Sequence, residues 1–275
     1  MRYMYDLSDK RIAVVGAGNM GGALIAGLVQ SGVLSPERVT AVDIDDALLA
    51  SHRRTLGVNT ARDAAAAAYE QDVVVLGLKP QVWASVVAPL ATSLTGRQLV
   101  ISIMGGVRTG AIEEVLGGRI PVVRAMPNIL AQIRTSVTAI CPGRFSQETH
   151  MAAAEAILES VGASVRLSEA QMDAVTGLSG SGPAFVYVII DALADGGVRM
   201  GIPKPVALKL AAQTVFGGAK MVIESGQHPA VLKDQVTSAG GTTIAGLQAL
   251  ELGGFRAALM KAVEAATRRS EELGT

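Results

Sequence analysis

The feature that most restricts this chain is an apolar run leading straight into a glycine turn. Ile12-Ala13-Val14-Val15 precedes Gly16-Ala17-Gly18-Asn19-Met20-Gly21, and a helical stretch follows to Ser31. The run reads as a buried strand. A G-x-G-x-x-G that ends a strand and opens a helix permits a tight turn, close approach of backbone to a pyrophosphate, and an anion at the positive end of the helix. The hexapeptide alone is a weak signal. Asp43, 22 residues beyond Gly21 at the end of the second predicted strand, adds the acidic residue expected about 20 residues on. Together they predict a βαβ unit that binds a dinucleotide. A carboxylate there accepts hydrogen bonds from an adenosine ribose and repels a 2′-phosphate, which favours NADH over NADPH. Arg53 and Arg54, ten residues on, are read as a solvated helix face.

Other classes drop out on composition. The stretch Ile12 to Pro36 is uncharged and the chain is 49% hydrophobic, yet four glycines and Asn19 would break a lipid-spanning helix. Met1 to Arg11 carries Asp6, Asp9, Lys10 and Arg11 without an apolar core, so it is not read as a secretory signal, and a cytoplasmic protein is expected. With 24 basic against 24 acidic residues, no net field exists to hold nucleic acid or an anionic membrane. Cys141 has no partner for an internal disulfide, and with His52, His150 and His228 scattered it builds no metal site.

The chain has 275 residues, enough for about two domains. Through residue 164 it alternates short β-branched runs with helical segments, the pattern of a parallel sheet with crossover helices. Predicted strands are 11–15, 38–43, 72–76, 98–103, 120–124 and 136–141. Helices are predicted near 19–31, 45–56, 63–68, 81–91 and 108–116. From 165 to 275 the chain reads as helices, near 170–176, 183–200, 205–224, 230–237, 242–250 and 255–272, after a short strand at 165–167. Segments 184–190 and 206–223 are apolar almost all round, so each must be covered on more than one face. A helical domain of roughly 110 residues offers little for that, and partner subunits are expected to supply the cover.

This second half holds two clusters read as helix starts, Gly177-Leu178-Ser179-Gly180-Ser181-Gly182-Pro183 and Thr237-Ser238-Ala239-Gly240-Gly241-Thr242-Thr243. Free N–H groups and hydroxyls at a helix N-terminus suit a small carboxylate, while ordinary capping is the plainer reading; for the first cluster both stay open. With Leu78-Lys79-Pro80-Gln81, Arg124-Ala125-Met126-Pro127-Asn128, Asp195-Gly196-Gly197, Leu232-Lys233-Asp234-Gln235-Val236 and Gly253-Gly254-Phe255-Arg256, the chain resembles pyrroline-5-carboxylate reductases over nearly its whole length.

That resemblance implies a Rossmann-type N-terminal domain, an all-α C-terminal dimerisation domain, and reduction of a cyclic imine by NADPH or NADH in the last step of proline biosynthesis. It implies cofactor contacts at Val15, Gly16, Ala17, Gly18, Asn19, Met20, Asp43, Asp45, Gly77, Leu78, Lys79, Pro80, Ile103, Met104, Gly105 and Gln235. It implies substrate contacts at Ser238, Gly240, Gly241, Thr242 and Thr243, in a homodimer or an assembly of dimers. The chain departs from the family's usual residues at Asp43, Ala64 and Ala239. Thr243 is the expected hydroxyl at the imine nitrogen, with the proton coming from solvent or from the substrate itself. Lys79 is read as bordering the cofactor. Two other readings compete: a 3-hydroxyacid-type dehydrogenase, which would look to a lysine on the helix after the first cluster, and a non-enzymatic dinucleotide sensor, which would need a basic face. From Gly182 to Ile202 there is no lysine, and Arg268-Arg269 are answered by Glu271-Glu272.

Overall fold

A computed structural model describes residues 5–274; residues 1–4 of the segment read as lacking a signal core lie outside the described residues. The chain divides into two compact units. One runs to Ser181 and takes back the chain from Ala265, and the other is Gly182–Glu264.

The first unit alternates strands and helices. In order it has β1 (Ile12–Val15), α1 (Asn19–Gln30), β2 (Val39–Val42), α2 (Asp46–Leu56), β3 (Asn59–Ala61), α3 (Ala64–Ala68), β4 (Val73–Leu76), α4 (Trp83–Val87), β5 (Leu99–Ser102), α5 (Thr109–Leu116), β6 (Val122–Met126), β7 (Ser136–Pro142), α6 (Glu148–Leu158), β8 (Gly162–Arg166) and α7 (Met172–Val175). The strands form one sheet in the order β3-β2-β1-β4-β5-β6-β7-β8. Period-two alternation splits its side chains between two cores. Ile12 and Val14 face Leu24, Ile25, Leu28 and Ile157 on one side, while Ala13 and Val15 face Val87, Leu90 and Ile112 on the other. Burial on both faces is why these strands read as unbroken apolar runs.

Three features differ from the sequence reading. β7 runs antiparallel to β6, because the link from Pro127 to Thr135 is shorter than the dozen or so residues a parallel crossover needs. β3 and α6 are additional elements. α6 is started by a reciprocal cap between Gln147 and His150, and it buries Met151, Ala154, Ile157 and Leu158 at helical spacing. The membrane-like stretch from Ile12 to Pro36 resolves into β1, the turn and α1.

The second unit holds α8 (Gly182–Arg199), α9 (Lys204–Ser225), α10 (Pro229–Gln235), α11 (Thr242–Leu252) and the start of α12 (Phe255–Leu273). α8 and α9 pack through small residues, with Ala194, Ala207 and Ala211 buried and Ile190 and Ile202 beside them. Lys204 Nζ reaches Asp191 at 2.9 Å and Asp195 at 2.6 Å, tying the start of α9 to α8. Much of the remaining apolar surface is open: Tyr187, Val188, Leu210, Phe216 and Ile223 are more than half exposed. The helix ending at Arg199 and α9 are each long and apolar enough to span a membrane by length and composition, and only 11% of either apolar window is buried within the chain.

A buried cation locks β6 to the segment before α7. Arg124 is 2% exposed and its Nη1 lies 3.6 Å from Glu169. The Glu169 carboxylate also accepts from the Thr109 N–H at 2.7 Å and the Thr109 hydroxyl at 2.8 Å, capping α5 from a distance. Removing the carboxylate strands a buried guanidinium. Glu169→Ala is therefore expected to lower unfolding free energy by about 3 kcal/mol, measured by urea titration at fixed protein concentration.

Candidate active site

The glycine turn sits at the carboxyl ends of β1 and β4, where neighbouring backbones nearly touch. The Gly16 N–H donates to Val42 O at 2.8 Å and the Gly77 N–H to Val15 O at 2.8 Å. Gly16 has φ +91°, and a Cβ there would stand 2.5 Å from the Gly77 carbonyl oxygen. A Cβ on Gly21 would collide with the Gly16 carbonyl. The fold therefore requires both glycines. Gly18 is different, since an added Cβ meets nothing within 4 Å. Its lack of a side chain answers no need of the chain's own packing, which fits the close approach of a pyrophosphate to the turn. No side chain caps α1 and no acidic residue stands in its first turn among the described residues, so its positive end is left for an anion.

The other dinucleotide candidates gather along the same edge. Asp43 follows β2, and its Oδ2 accepts from the Ala17 N–H at 2.9 Å while Oδ1 accepts from the Asp45 N–H at 3.1 Å. Asp45 caps α2 by accepting from Ala47 and Leu48. Gly77, Leu78, Lys79 and Pro80 follow β4, with Lys79 and Pro80 exposed, and Ile103, Met104 and Gly105 follow β5 with only Gly105 exposed. Arg53 is turned to the Thr60 hydroxyl. Ala64 begins α3 behind the cap of Asp63.

Gln235 and the substrate candidates lie in the second unit. Gln235 ends α10 and donates to Gln227 at 3.0 Å. Ser238 and Gly240 are exposed, Gly240 has φ +67°, and Gly241 is the N-cap of α11. A Cβ on Gly241 would collide with the Ser238 hydroxyl oxygen, so that glycine lets the serine fold over the helix start. No side chain caps α11 and no acid stands in its first turn among the described residues. Thr242 and Thr243 open the helix, Thr242 exposed and Thr243 half-buried. The arrangement offers amides, small hydroxyls and a helix dipole to a carboxylate.

The first glycine cluster is a helix start only at its end, where Gly182-Pro183 opens α8. Thr176–Gly180 is a π-helical turn continuing α7, and the Ser181 N–H donates to Thr176 O at 2.8 Å. The Ser181 amide is thereby committed within the turn. Asn128 fixes this turn, its side-chain amide donating to the Ser179 carbonyl at 3.0 Å while its Oδ1 accepts from the Leu130 N–H at 3.1 Å. In the sequence Asn128 stands out only as the end of Arg124-Ala125-Met126-Pro127-Asn128. Cys141 is fully buried, and burial pushes its thiol up to about 11, so it stays protonated and inert near neutral pH. His228 caps α10, accepting from the Ala230 N–H at 3.2 Å.

The three turn glycines are separable by experiment. Gly18→Ala is expected to leave thermal stability unchanged and to weaken NADH binding in a fluorescence titration. Gly16→Ala and Gly21→Ala are expected to cost about 3 kcal/mol of stability, read from urea unfolding.

Known proteins match this architecture end to end. A family model described as pyrroline-5-carboxylate reductase dimerisation matches residues 169–273, and one described as NADP oxidoreductase coenzyme F420-dependent matches residues 11–106. The pyrroline-5-carboxylate reductase of Methanosarcina acetivorans is 44% identical over 268 residues, covering 98% of this chain and 99% of that protein. The Escherichia coli protein of that name is 36% identical, covering 96% and 98%. The solved structure of a pyrroline-5-carboxylate reductase from Coxiella burnetii superposes with a TM-score of 0.92 at 35% identity, covering 97% and 99%. That of the Plasmodium falciparum pyrroline carboxylate reductase with NADP bound gives 0.86 at 30%, covering 98% and 99%. The chain thus belongs to the pyrroline-5-carboxylate reductase family.

Proposed function

We propose that this chain reduces 1-pyrroline-5-carboxylate to L-proline with NAD(P)H, as an oxidoreductase of proline biosynthesis acting on a C=N bond. Residues 1–164 bind the dinucleotide, and residues 165–275 carry the substrate site and the subunit interface. The coenzyme supplies the hydride that the imine carbon accepts. The protein's share is positioning and charge. Ser238 and the amides of Gly240, Gly241, Thr242 and Thr243 hold the substrate carboxylate at the start of α11. Thr243 presents its hydroxyl to the ring nitrogen, which becomes more basic as the C=N bond is reduced. The nitrogen's proton comes from solvent or from a substrate that arrives protonated, because a threonine is too weak an acid to supply it.

The observation that supports this assignment is chemical economy at α11. Among the described residues its N-terminus has hydroxyls but no side-chain cap and no acid, which suits a carboxylate and an already charged imine, although the Gly241 N–H donates to the Ser238 carbonyl at 3.1 Å. α8 contains no lysine, the group a 3-hydroxyacid dehydrogenase would use there. On the coenzyme side, the Asp43 carboxylate at the turn and the engagement of Arg53 with Thr60 support NADH as the preferred reductant. Val15 to Met20, Asp43, Asp45, Gly77 to Pro80, Ile103 to Gly105 and Gln235 are proposed to border it.

Two copies of the chain are proposed to bury the exposed faces of α8 and α9 against one another, in the cytoplasm. The match of residues 169–273 to a dimerisation model and the open apolar faces of these helices support this. Sedimentation at micromolar concentration is expected to give a dimer or larger; a monomer would refute it.

The activity is tested by mixing the protein with pyrroline-5-carboxylate and NADH or NADPH and following loss of the reduced-nicotinamide absorbance. A larger kcat/KM is expected with NADH, and no turnover would end the proposal. Thr243→Ala is expected to lower kcat/KM by about 10- to 100-fold, the effect of one lost hydrogen bond to a charged group. A rate equal to the parent's would remove Thr243 from the reaction.

A further inference from the structure

His52 on α2 is the one histidine whose ring reaches the glycine turn. Its Nε2 lies 2.9 Å from the carbonyl oxygen of Ala17. A carbonyl only accepts, so Nε2 carries the proton and donates. The same residue is gripped on its other side, where the Ala17 N–H donates to Asp43 at 2.9 Å. The peptide planes before and after the Ala17 Cα are thus each tied to a side chain from outside the turn. In a trans peptide the C=O and the N–H point in opposite directions. Holding the Ala17 carbonyl towards His52 therefore turns the Gly18 N–H away from α2, and that N–H has no acceptor among the described residues.

Room for this contact is built into α1. A Cβ on Gly22 would stand 3.0 Å from both the Ala17 oxygen and His52 Cε1. Nothing of the strand–helix packing demands glycine there, and a side chain would crowd the imidazole off the carbonyl.

We infer that His52 is a positioning residue for the dinucleotide: its Nε2–H fixes the Ala17–Gly18 peptide so that the Gly18 N–H is preset for a pyrophosphate oxygen. The inference rests on the proposed role of the turn in coenzyme binding. It acts on binding and not on the chemical step, because the histidine touches the turn and not the reacting atoms. An unclamped peptide has to be ordered when the coenzyme arrives, and that cost weakens binding.

The test uses the full chain with NADH as the probe, titrated by fluorescence, alongside steady-state kinetics with pyrroline-5-carboxylate. His52→Leu is expected to raise the NADH Kd and KM about tenfold, the size of one neutral hydrogen bond, with kcat within about twofold. His52→Gln places an amide N–H at the reach of Nε2 and is expected to restore binding. His52→Asn, a bond shorter, is expected to resemble the leucine variant. An unchanged Kd in His52→Leu overturns the inference, as does equal weakening in the leucine and glutamine variants, which would mark a packing role. If His52→Leu does not fold, the glutamine and asparagine variants decide, and equal Kd values in those two overturn it. Gly18→Ala separates the two layers. If it leaves NADH binding intact, the turn is not the coenzyme site and both readings fall; if it weakens binding while His52→Leu does not, only the role of His52 falls.

Discussion

The rest of the structure hangs on the contact between two backbones at the ends of β1 and β4. A Cβ at Gly16 would stand 2.5 Å from the Gly77 carbonyl oxygen, and one at Gly77 would stand 2.9 Å from the Gly16 oxygen. Neither strand end can carry a side chain, so the crevice between them is lined by main chain. That crevice lies where the sheet order passes from β2-β1 to β4-β5, the point at which open α/β sheets bind ligands. Side chains from outside the turn help to set its geometry. Asp43 holds one side of Ala17 and His52 the other, and α1 starts with its amides uncapped.

What a reader of the sequence can recover follows from how local the physical cause is. β1, β4 and β5 are buried on both faces, so four consecutive apolar residues declare β1 and β4, and three followed by the buried Ser102 declare β5. α9 spans Lys204–Ser225, close to the segment 205–224 expected from Pro205 at its start and Gly226 after its end. β3 escapes because Asn59-Thr60-Ala61 forms a short edge strand that is nowhere fully buried. The direction of β7 escapes because it depends on the length of a connection and not on the strand's own composition. In the site, the glycine turn and the α11 loop were legible as motifs. The contact that holds the turn was not: His52 meets Ala17 across 35 residues, and elsewhere Glu169 meets Thr109 at the start of α5 across 60; no local periodicity encodes either.

Scarcity of charge in this chain has a common physical origin in its two functional regions. In the proposed site, turn and loop both offer backbone amides, which need glycine to come close and helix ends to add a dipole. Amides carry no net charge and do not titrate near neutral pH, so such a site suits a reaction that brings its own reductant and a substrate able to carry its own proton. The apolar helices of the second unit belong to the same economy. Faces that carry no chemistry stay free to be apolar, and in α8 and α9 they are apolar enough that burial against another surface is strongly favourable.

Coenzyme choice and turn architecture are coupled through a single residue. Asp43 is the carboxylate that would repel a 2′-phosphate, yet both of its oxygens accept backbone N–H groups, from Ala17 and Asp45. Replacing it by a small polar residue removes the repulsion and at once releases one side of the turn and the entry into α2. Selection for a phosphorylated coenzyme at this position therefore works against the order of the turn. His52 moderates that conflict, because its bond to the Ala17 carbonyl does not pass through Asp43. A turn held from two elements tolerates exchange of one clamp, and the residue at the end of β2 is then free to vary while the Ala17–Gly18 peptide stays where it is.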